Sequence, residues 1–291
     1  MIFKNYLKLI RFDNYVKNIL ILLPAFFQPQ LLVNYYQDLI ILFVVFSLVS
    51  SVGYVVNDLA DKESDMLHPQ KKTRPIASGA IQISNAYFIL ILLIISVIFF
   101  SYFLGFDKVK IIYLYLALNL IYTFFLKNIA IFDVCILSIF YTLRIVLGAI
   151  IINTELSVWL ISFSYLFFLN LSSIKRLLDI NQNNTYNENN KTVYKNYSNS
   201  NLKLLKILIP IFFICSLAVL LVYIVSYNQI FENKLYGLIF LLIIFFWNLR
   251  IIKKAYNNDI SCDPISYILK DKFTYFYCSI GIILISFFYI F

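Results

Sequence analysis

Asn57, Asp58, Asp61 and Asp65 stand together in one dense polar stretch of an otherwise apolar chain. On a helix, the steps from Asn57 to Asp61 to Asp65, with Asp58 three residues before Asp61, put all four on one face. Three carboxylates on one face repel each other unless a cation sits among them. A hard divalent cation such as Mg²⁺ takes oxygen ligands and is commonly shared with substrate phosphates. Asn57, Asp58, Asp61 and Asp65 are therefore the expected metal ligands, and Asp58 and Asp61 the expected catalytic acids. Lys71, Lys72 and Arg74 follow closely and suit phosphate oxygens. A cytosolic loop whose acids and bases pair in water would carry the same residue types. Two features favour a site: the acids share a face, and the stretch continues directly from an apolar run, so its first acids lie at a membrane boundary.

Further polar residues are placed where they cost free energy. Arg144 sits about halfway through an apolar run, and a charge there normally faces a polar cavity or a partner. Asp133 lies eleven residues earlier, three helical turns away and on nearly the same face. A structural ion pair with some buried acid is the other account of Arg144. Tyr122 shares a face with Asn119, and Lys127 follows in a short turn. Lys17 opens the first apolar run, where it either snorkels to lipid phosphates or reaches into a site. Lys175 and Arg176 are ordinary basic flanking of a span or a second phosphate-binding cluster. Lys17, Lys71, Arg74, Tyr122, Lys127, Asp133, Arg144, Lys175 and Arg176 form the expected substrate-binding set.

The elements that must position these residues are membrane spans. The chain has 291 residues, 62% of them hydrophobic, with a net charge of +9 and a mean hydropathy of +0.82. No soluble domain needs that much apolar surface. Nine apolar segments are legible, at about 17–34, 39–56, 86–104, 109–126, 131–152, 157–174, 206–226, 234–249 and 273–291, with a kink expected at Pro24. With the N-terminus in the cytoplasm, 20 of the 24 Lys and Arg fall on inner segments and three on outer ones, with Arg144 inside a span. That is the asymmetry the positive-inside rule demands. The expectation is an all-α protein of the cell inner membrane. About nine transmembrane helices would enclose a polar cavity open to the cytosolic side.

One transmembrane domain would cover 1–291, with cytosolic loops at 57–85 and 175–205. Residues 180–201 hold nine asparagines, a compositional bias with no assigned chemistry. The acids and lysines of 253–272 are expected to pair with one another. The positive charge reports topology and phosphate-rich partners; no nucleic-acid-binding pattern is visible. Cys135, Cys215, Cys262 and Cys278 form no CxxC pattern. His68, the lone histidine, precedes Pro69 and reads as structural. The opening MIFKNYLKLIRF lacks the apolar core and cleavage site of a signal peptide.

The motif Asn57-Asp58-Leu59-Ala60-Asp61 to Asp65 resembles the NDxxDxxxD motif that the UbiA superfamily of intramembrane prenyltransferases carries between its second and third spans. RFDNYVKNILILLPAFF (11–27), HPQKKTRPIASG (68–79), Tyr122 to Lys127 with Asp133, and Lys175-Arg176 are similar to one branch, the bacterial phosphoribosyltransferases acting on decaprenyl phosphate. Prenyl-transferring members usually carry a second motif, DxxxD. Here that stretch reads Lys175-Arg176-Leu177-Leu178-Asp179, with lysine replacing the first acid. The departure disfavours a conventional prenyl-diphosphate site and favours one metal-bound diphosphate beside one bare lipid phosphate. The resemblance implies Mg²⁺-dependent transfer of 5-phosphoribose from phosphoribosyl diphosphate to a polyprenyl phosphate lipid, for cell-envelope biosynthesis. The alternatives are prenyl transfer to an aromatic or other small acceptor, and a lipid or phosphate transporter. A transporter would more naturally show repeats and broken spans.

Overall fold

Apolar runs about 20 residues long form helices in a membrane because every backbone group must bond within its own segment. The computed structural model bears this out across residues 2–26, 28–68, 71–155, 157–186, 199–226, 234–260, 264–268 and 270–290. Asn190, Lys191, Lys195, Glu232, Cys262 and most of the asparagine-rich stretch lie outside the described residues. Among the described residues every regular element is helical and none is a strand.

The chain divides into two compact units. The first holds α1 (Ile2–Leu9), α2 (Leu23–Phe26), α3 (Pro29–Asn34), α4 (Tyr36–Ala60), α5 (Lys62–Leu67), α6 (Ile83–Tyr102), α7 (Phe106–Phe124) and most of α8 (Phe132–Ile151). The central member is α4, which packs on α6 and α7. At Gly53 of α4 an added Cβ would stand 2.4 Å from the Asn119 side-chain oxygen, so a glycine is what lets α7 approach there. The second unit holds α9 (Val158–Tyr186), α10 (Asn199–Ser226), α11 (Lys234–Tyr256), α12 (Pro264–Ile268) and α13 (Lys272–Ile290). Within it α9 packs along α10, and α11 lies against α10 and α13.

Six helices are long and apolar enough to cross a membrane among the described residues: α4, α6, α8, α9, α10 and α11. α7 and α13, at 19 residues each, cover two more of the expected apolar segments. The first expected span differs most from its reading. Residues 17–34 do not form one kinked α-helix. A 3-10 stretch, Phe12–Leu22, leads into the short α2 and α3. Pro24 and Pro29 lack the N–H that a continuous helix would use, and 3-10 runs of this length are uncommon and mark strain or hinges. Close packing fixes the conformation: a Cβ at Gly148 of α8 would stand 1.9 Å from the Ile21 carbonyl oxygen, so the two backbones touch there.

The first acidic stretch also departs from a single helix. α4 ends at Ala60 and α5 begins at Lys62, with Asp61 at the joint. Hydrogen bonds from Asp61 N–H to Asn57 O (2.9 Å) and from Asp65 N–H to Asp61 O (2.8 Å) carry the helical rise across it.

Candidate active site

Asp58 is buried in the last turn of α4, and its Oδ1 accepts two guanidinium bonds. Arg11 Nη2 donates at 2.6 Å and Arg74 Nη1 at 3.1 Å. The same Arg74 nitrogen donates to Asp65 Oδ2 at 2.6 Å, bridging two carboxylates that are seven residues apart. Lys127 Nζ donates to Asp61 Oδ1. Asp58 and Asp65 are almost wholly buried, whereas Asp61 and the three cations keep part of their surface. Three acids thus face three bases drawn from four parts of the first unit. Burial pushes the Asp65 carboxyl above its ordinary range, and the nearby Arg74 and Lys71 charges pull it back.

The other expected residues fall at different distances from this cluster. Lys71 is half-buried, and its backbone N–H donates to His68 Nδ1 at 3.3 Å, which gives the histidine the structural part expected of it. Tyr122 is half-buried, with its ring edge-on to Phe140 at 5.7 Å. Asp133 is fully buried at the start of α8, where its Oδ1 accepts the Val134 N–H at 2.8 Å. Lys17 is half-buried on the 3-10 stretch. Asn57 is half-buried one residue before Asp58.

Arg144 is buried and held by neutral groups. Its Nε donates to Asn18 Oδ1 at 3.1 Å, Nη1 to the Phe140 carbonyl at 2.5 Å and Nη2 to Tyr115 Oη at 3.3 Å. The rings of Phe46, Tyr141 and Tyr115 stand 5.0, 5.2 and 5.6 Å from the guanidinium carbon. No carboxylate appears among its described partners. Ring quadrupoles and amide oxygens stabilise the charge instead. Arg144 clamps Asn18, and Asn18 Nδ2 donates onward to Ser47 Oγ of α4 at 2.9 Å. The 3-10 stretch bearing Lys17 is therefore pinned to both α8 and α4.

Arg11 is the residue that sequence spacing missed. It opens the family-like string at 11–27 but stands outside the expected site residues, 47 residues from its carboxylate partner. Its φ of 52° lies in the left-handed region, which a non-glycine residue enters at a cost. The turn is held by the bond to Asp58 and by the Tyr54 ring, 4.6 Å from the guanidinium. Ser51 Oγ also donates to the Ile10 carbonyl at 2.9 Å. Ile131, between Lys127 and Asp133, also has positive φ, at 72°. Strain of this kind gathers where surroundings over-determine a conformation.

In the second unit, Lys175 is half-buried on α9, and buried Arg176 donates from Nη1 to Asp179 Oδ2 at 3.3 Å. In the last loop Asp271 is paired from outside the 253–272 stretch, by Arg250 of α11, and not by one of the lysines expected to hold it. Arg250 grips Asp271 with two bonds, 2.5 and 2.8 Å, and Thr274 adds its N–H and hydroxyl to the same carboxylate.

The donor chemistry of Asn57, Asp58, Asp61 and Asp65 suits a hard divalent cation: all offer oxygen, and two of the carboxylates are buried. As the side chains stand, the acids turn towards Arg11, Arg74 and Lys127, and among the described residues no three acids gather around one point. Holding a cation requires them to exchange those partners.

The sequence profile of the UbiA prenyltransferase family matches residues 19–263. The chain belongs to this family. With six helices long and apolar enough to cross a membrane among the described residues, it is an integral membrane protein. A decaprenyl-phosphate phosphoribosyltransferase of Mycolicibacterium smegmatis is 33% identical over 158 residues, 53% of this chain and 50% of that protein. An uncharacterised protein of Sinorhizobium fredii, y4nM, is 35% identical over 175 residues, 60% of this chain and 34% of that one. The chain thus spans about half of the first relative and about a third of the second. A solved UbiA homologue from Archaeoglobus fulgidus, bound to DMAPP and Mg²⁺, superposes with a TM-score of 0.73 at 13% identity, covering 98% of both chains. At that identity the likeness is one of fold.

Proposed function

We propose that this UbiA-family protein transfers 5-phosphoribose from 5-phosphoribosyl 1-diphosphate to a polyprenyl phosphate. The carrying observation is the cationic lining of the acidic motif: Arg11, Arg74 and Lys127 each hold a motif carboxylate. Lys175 in place of the first acid of a second motif supports the same reading. Bases at both motifs suit two phosphate-bearing substrates, one of which needs no metal. The similarity to the mycobacterial phosphoribosyltransferase agrees.

In this reading Asn57, Asp58, Asp61 and Asp65 hold Mg²⁺, which when bound neutralises charge on the leaving diphosphate. Arg74 and Lys127 turn from carboxylate to phosphate oxygens, exchanging one ion pair for another so that no cation is stranded. Lys17, Lys71, Tyr122 and Asp133 complete the lining, and Arg144 positions Lys17 through Asn18; Lys175 and Arg176 are the proposed substrate-binding residues of the second unit. A phosphate oxygen of the lipid attacks C1 of the ribose as the C1–O bond to diphosphate breaks, and diphosphate leaves with the bonding pair. The centre passes through oxocarbenium character. The acceptor is already an anion, so the step needs no general base. We further propose one domain of nine spans in the inner membrane, with a cytoplasmic N-terminus and a polar cavity open to the cytosol.

Prenyl transfer to a small acceptor is the second reading, favoured by the family's name and by Asp179, which keeps one acid at the second motif. Purified protein given radiolabelled phosphoribosyl diphosphate and polyprenyl phosphate should form a labelled lipid. EDTA should abolish the product, and Mg²⁺ should restore it. Asp58→Ala and Asp61→Ala should insert normally and be inactive. Lys175→Asp, which recreates DxxxD, should lower turnover by more than about tenfold, since one charge-assisted contact is worth at least about 1.5 kcal/mol. Consumption of prenyl diphosphate with phosphoribosyl diphosphate ignored would overturn the first reading in favour of the second.

A further inference from the structure

A shallow groove of about 240 Å³ lies between α1 and α6 in the first unit. Its α1 side carries Phe3, Leu7 and Ile10, and its α6 side Ile89, Leu93 and Ser96. Ser96 Oγ donates to the Leu92 carbonyl at 2.8 Å, so its hydroxyl is spent within its own helix. The lining is apolar in character. α6 is a candidate span whose Ile91, Ile95 and Ile98 are more than half exposed, a surface suited to hydrocarbon. Ile10 lines the groove just past the end of α1, and the next residue is Arg11.

That adjacency joins an apolar trough to a cation at the acidic motif. Arg11 keeps about a quarter of its side-chain surface exposed while bonded to Asp58. Asp58 has a second guanidinium, from Arg74, at 3.1 Å. In the proposed reaction Asp58 would turn to Mg²⁺, which would release Arg11, like Arg74, to an incoming anion. The positive φ of Arg11 turns the chain just past α1, and its guanidinium lies against Asp58 and the Tyr54 ring.

We propose that this groove seats the isoprenoid chain of the phosphate acceptor, with the phosphate drawn to Arg11. The inference rests on the phosphoribosyl-transfer reading and names where its lipid substrate lies. An isoprenoid monophosphate has one chain, with its phosphate directly at the chain's end. It therefore suits a single trough with a cation one residue beyond its lining. A bilayer phospholipid brings two chains and a glycerol between chain and phosphate, which would carry the anion away from Arg11. Arg11 is then a substrate-binding residue, and α1 is one wall of a lipid subsite as well as an interfacial helix.

The test uses the full chain in nanodiscs with a polyprenyl monophosphate bearing a diazirine on one isoprene unit. Photolysis should label residues 2–11 and 89–96. Unlabelled polyprenyl monophosphate should compete, and phosphatidylglycerol should not. Leu7→Trp and Ile89→Trp, both at half-exposed positions, fill the trough. Each should weaken labelling and raise KM for the lipid about tenfold, what displacing about two methylenes is worth, with KM for phosphoribosyl diphosphate unchanged. Labelling elsewhere, equal competition by phosphatidylglycerol, or tryptophan variants that label like wild type would each overturn the subsite. The labelling map is read on wild-type protein without turnover, so it decides even if a variant fails to fold. Phosphoribosyl transfer with labelling elsewhere removes the groove and leaves the function. Labelling of the groove by a protein that consumes only prenyl diphosphate does the reverse.

Discussion

Replacing Arg74 by glutamine removes a cation that bridges Asp58 and Asp65. Arg74 Nη1 donates at 3.1 Å to the first and 2.6 Å to the second, and both carboxylates are buried. Charge-assisted bonds contribute about 1.5–3 kcal/mol each, and stripping one partner from a buried pair costs about 3–5 kcal/mol. Asp58 retains Arg11 at 2.6 Å, so most of the loss falls on Asp65. The expected destabilisation is about 3 kcal/mol, the lower end of that range. It is read as a shifted midpoint when the protein in mixed micelles is titrated with SDS. Adding Asp65→Asn removes the stranded charge, so the double variant should recover most of the loss. Arg74→Gln lying within about 0.5 kcal/mol of wild type, the usual size of a surface change, would refute the bridge as a stabilising element. A double variant no better than the single one would show that Asp65 is not where the cost resides.

Gly148→Ala should destabilise by more than about 3 kcal/mol, beyond ordinary overpacking, because the new methyl meets the Ile21 backbone oxygen at 1.9 Å. Gly53→Ala should cost less in the same titration, since it meets the Asn119 side chain, which can rotate. Arg250 and Thr274 hold the Asp271 carboxyl well below the usual carboxylate range. A depressed folded value means a contribution that is present above the unfolded pKa of about 3.9 and lost as pH falls towards the folded value. Below about pH 4 wild-type stability should therefore fall more steeply than that of Asp271→Asn; parallel curves would remove Asp271 from the account. For topology, single cysteines at exposed Ser64 and Asp259 should label from the cytosol and one at Asp107 from outside. Ser64 and Asp107 labelling from one side would break the nine-span reading.

Hydropathy along the chain is enough to make it helical and membrane-embedded, because long apolar runs without strand partners bond their backbones in hydrocarbon as helices. The sequence also marked Asn57, Asp58, Asp61, Asp65, Arg74 and Lys127 as chemistry, since charged groups at such boundaries are costly unless used. Local spacing could carry that much because those residues lie on consecutive turns or in short loops. Tertiary structure decided the pairing. Arg74 bridges Asp58 to Asp65, Lys127 reaches Asp61 across 66 residues, and Arg11 reaches Asp58 across 47. No periodicity encodes such distances.

The two clearest departures share one physical origin. Arg144 reads in sequence as an intramembrane cation in search of an anion, yet aromatic rings, Asn18 and a carbonyl satisfy it. The first apolar segment reads as a kinked span, yet it is 3-10 where it meets Gly148. Both depend on how closely two backbones approach, and that distance is set by side chains from several helices at once. Hydropathy along a single chain reports how apolar a segment is, and only packing decides what it touches.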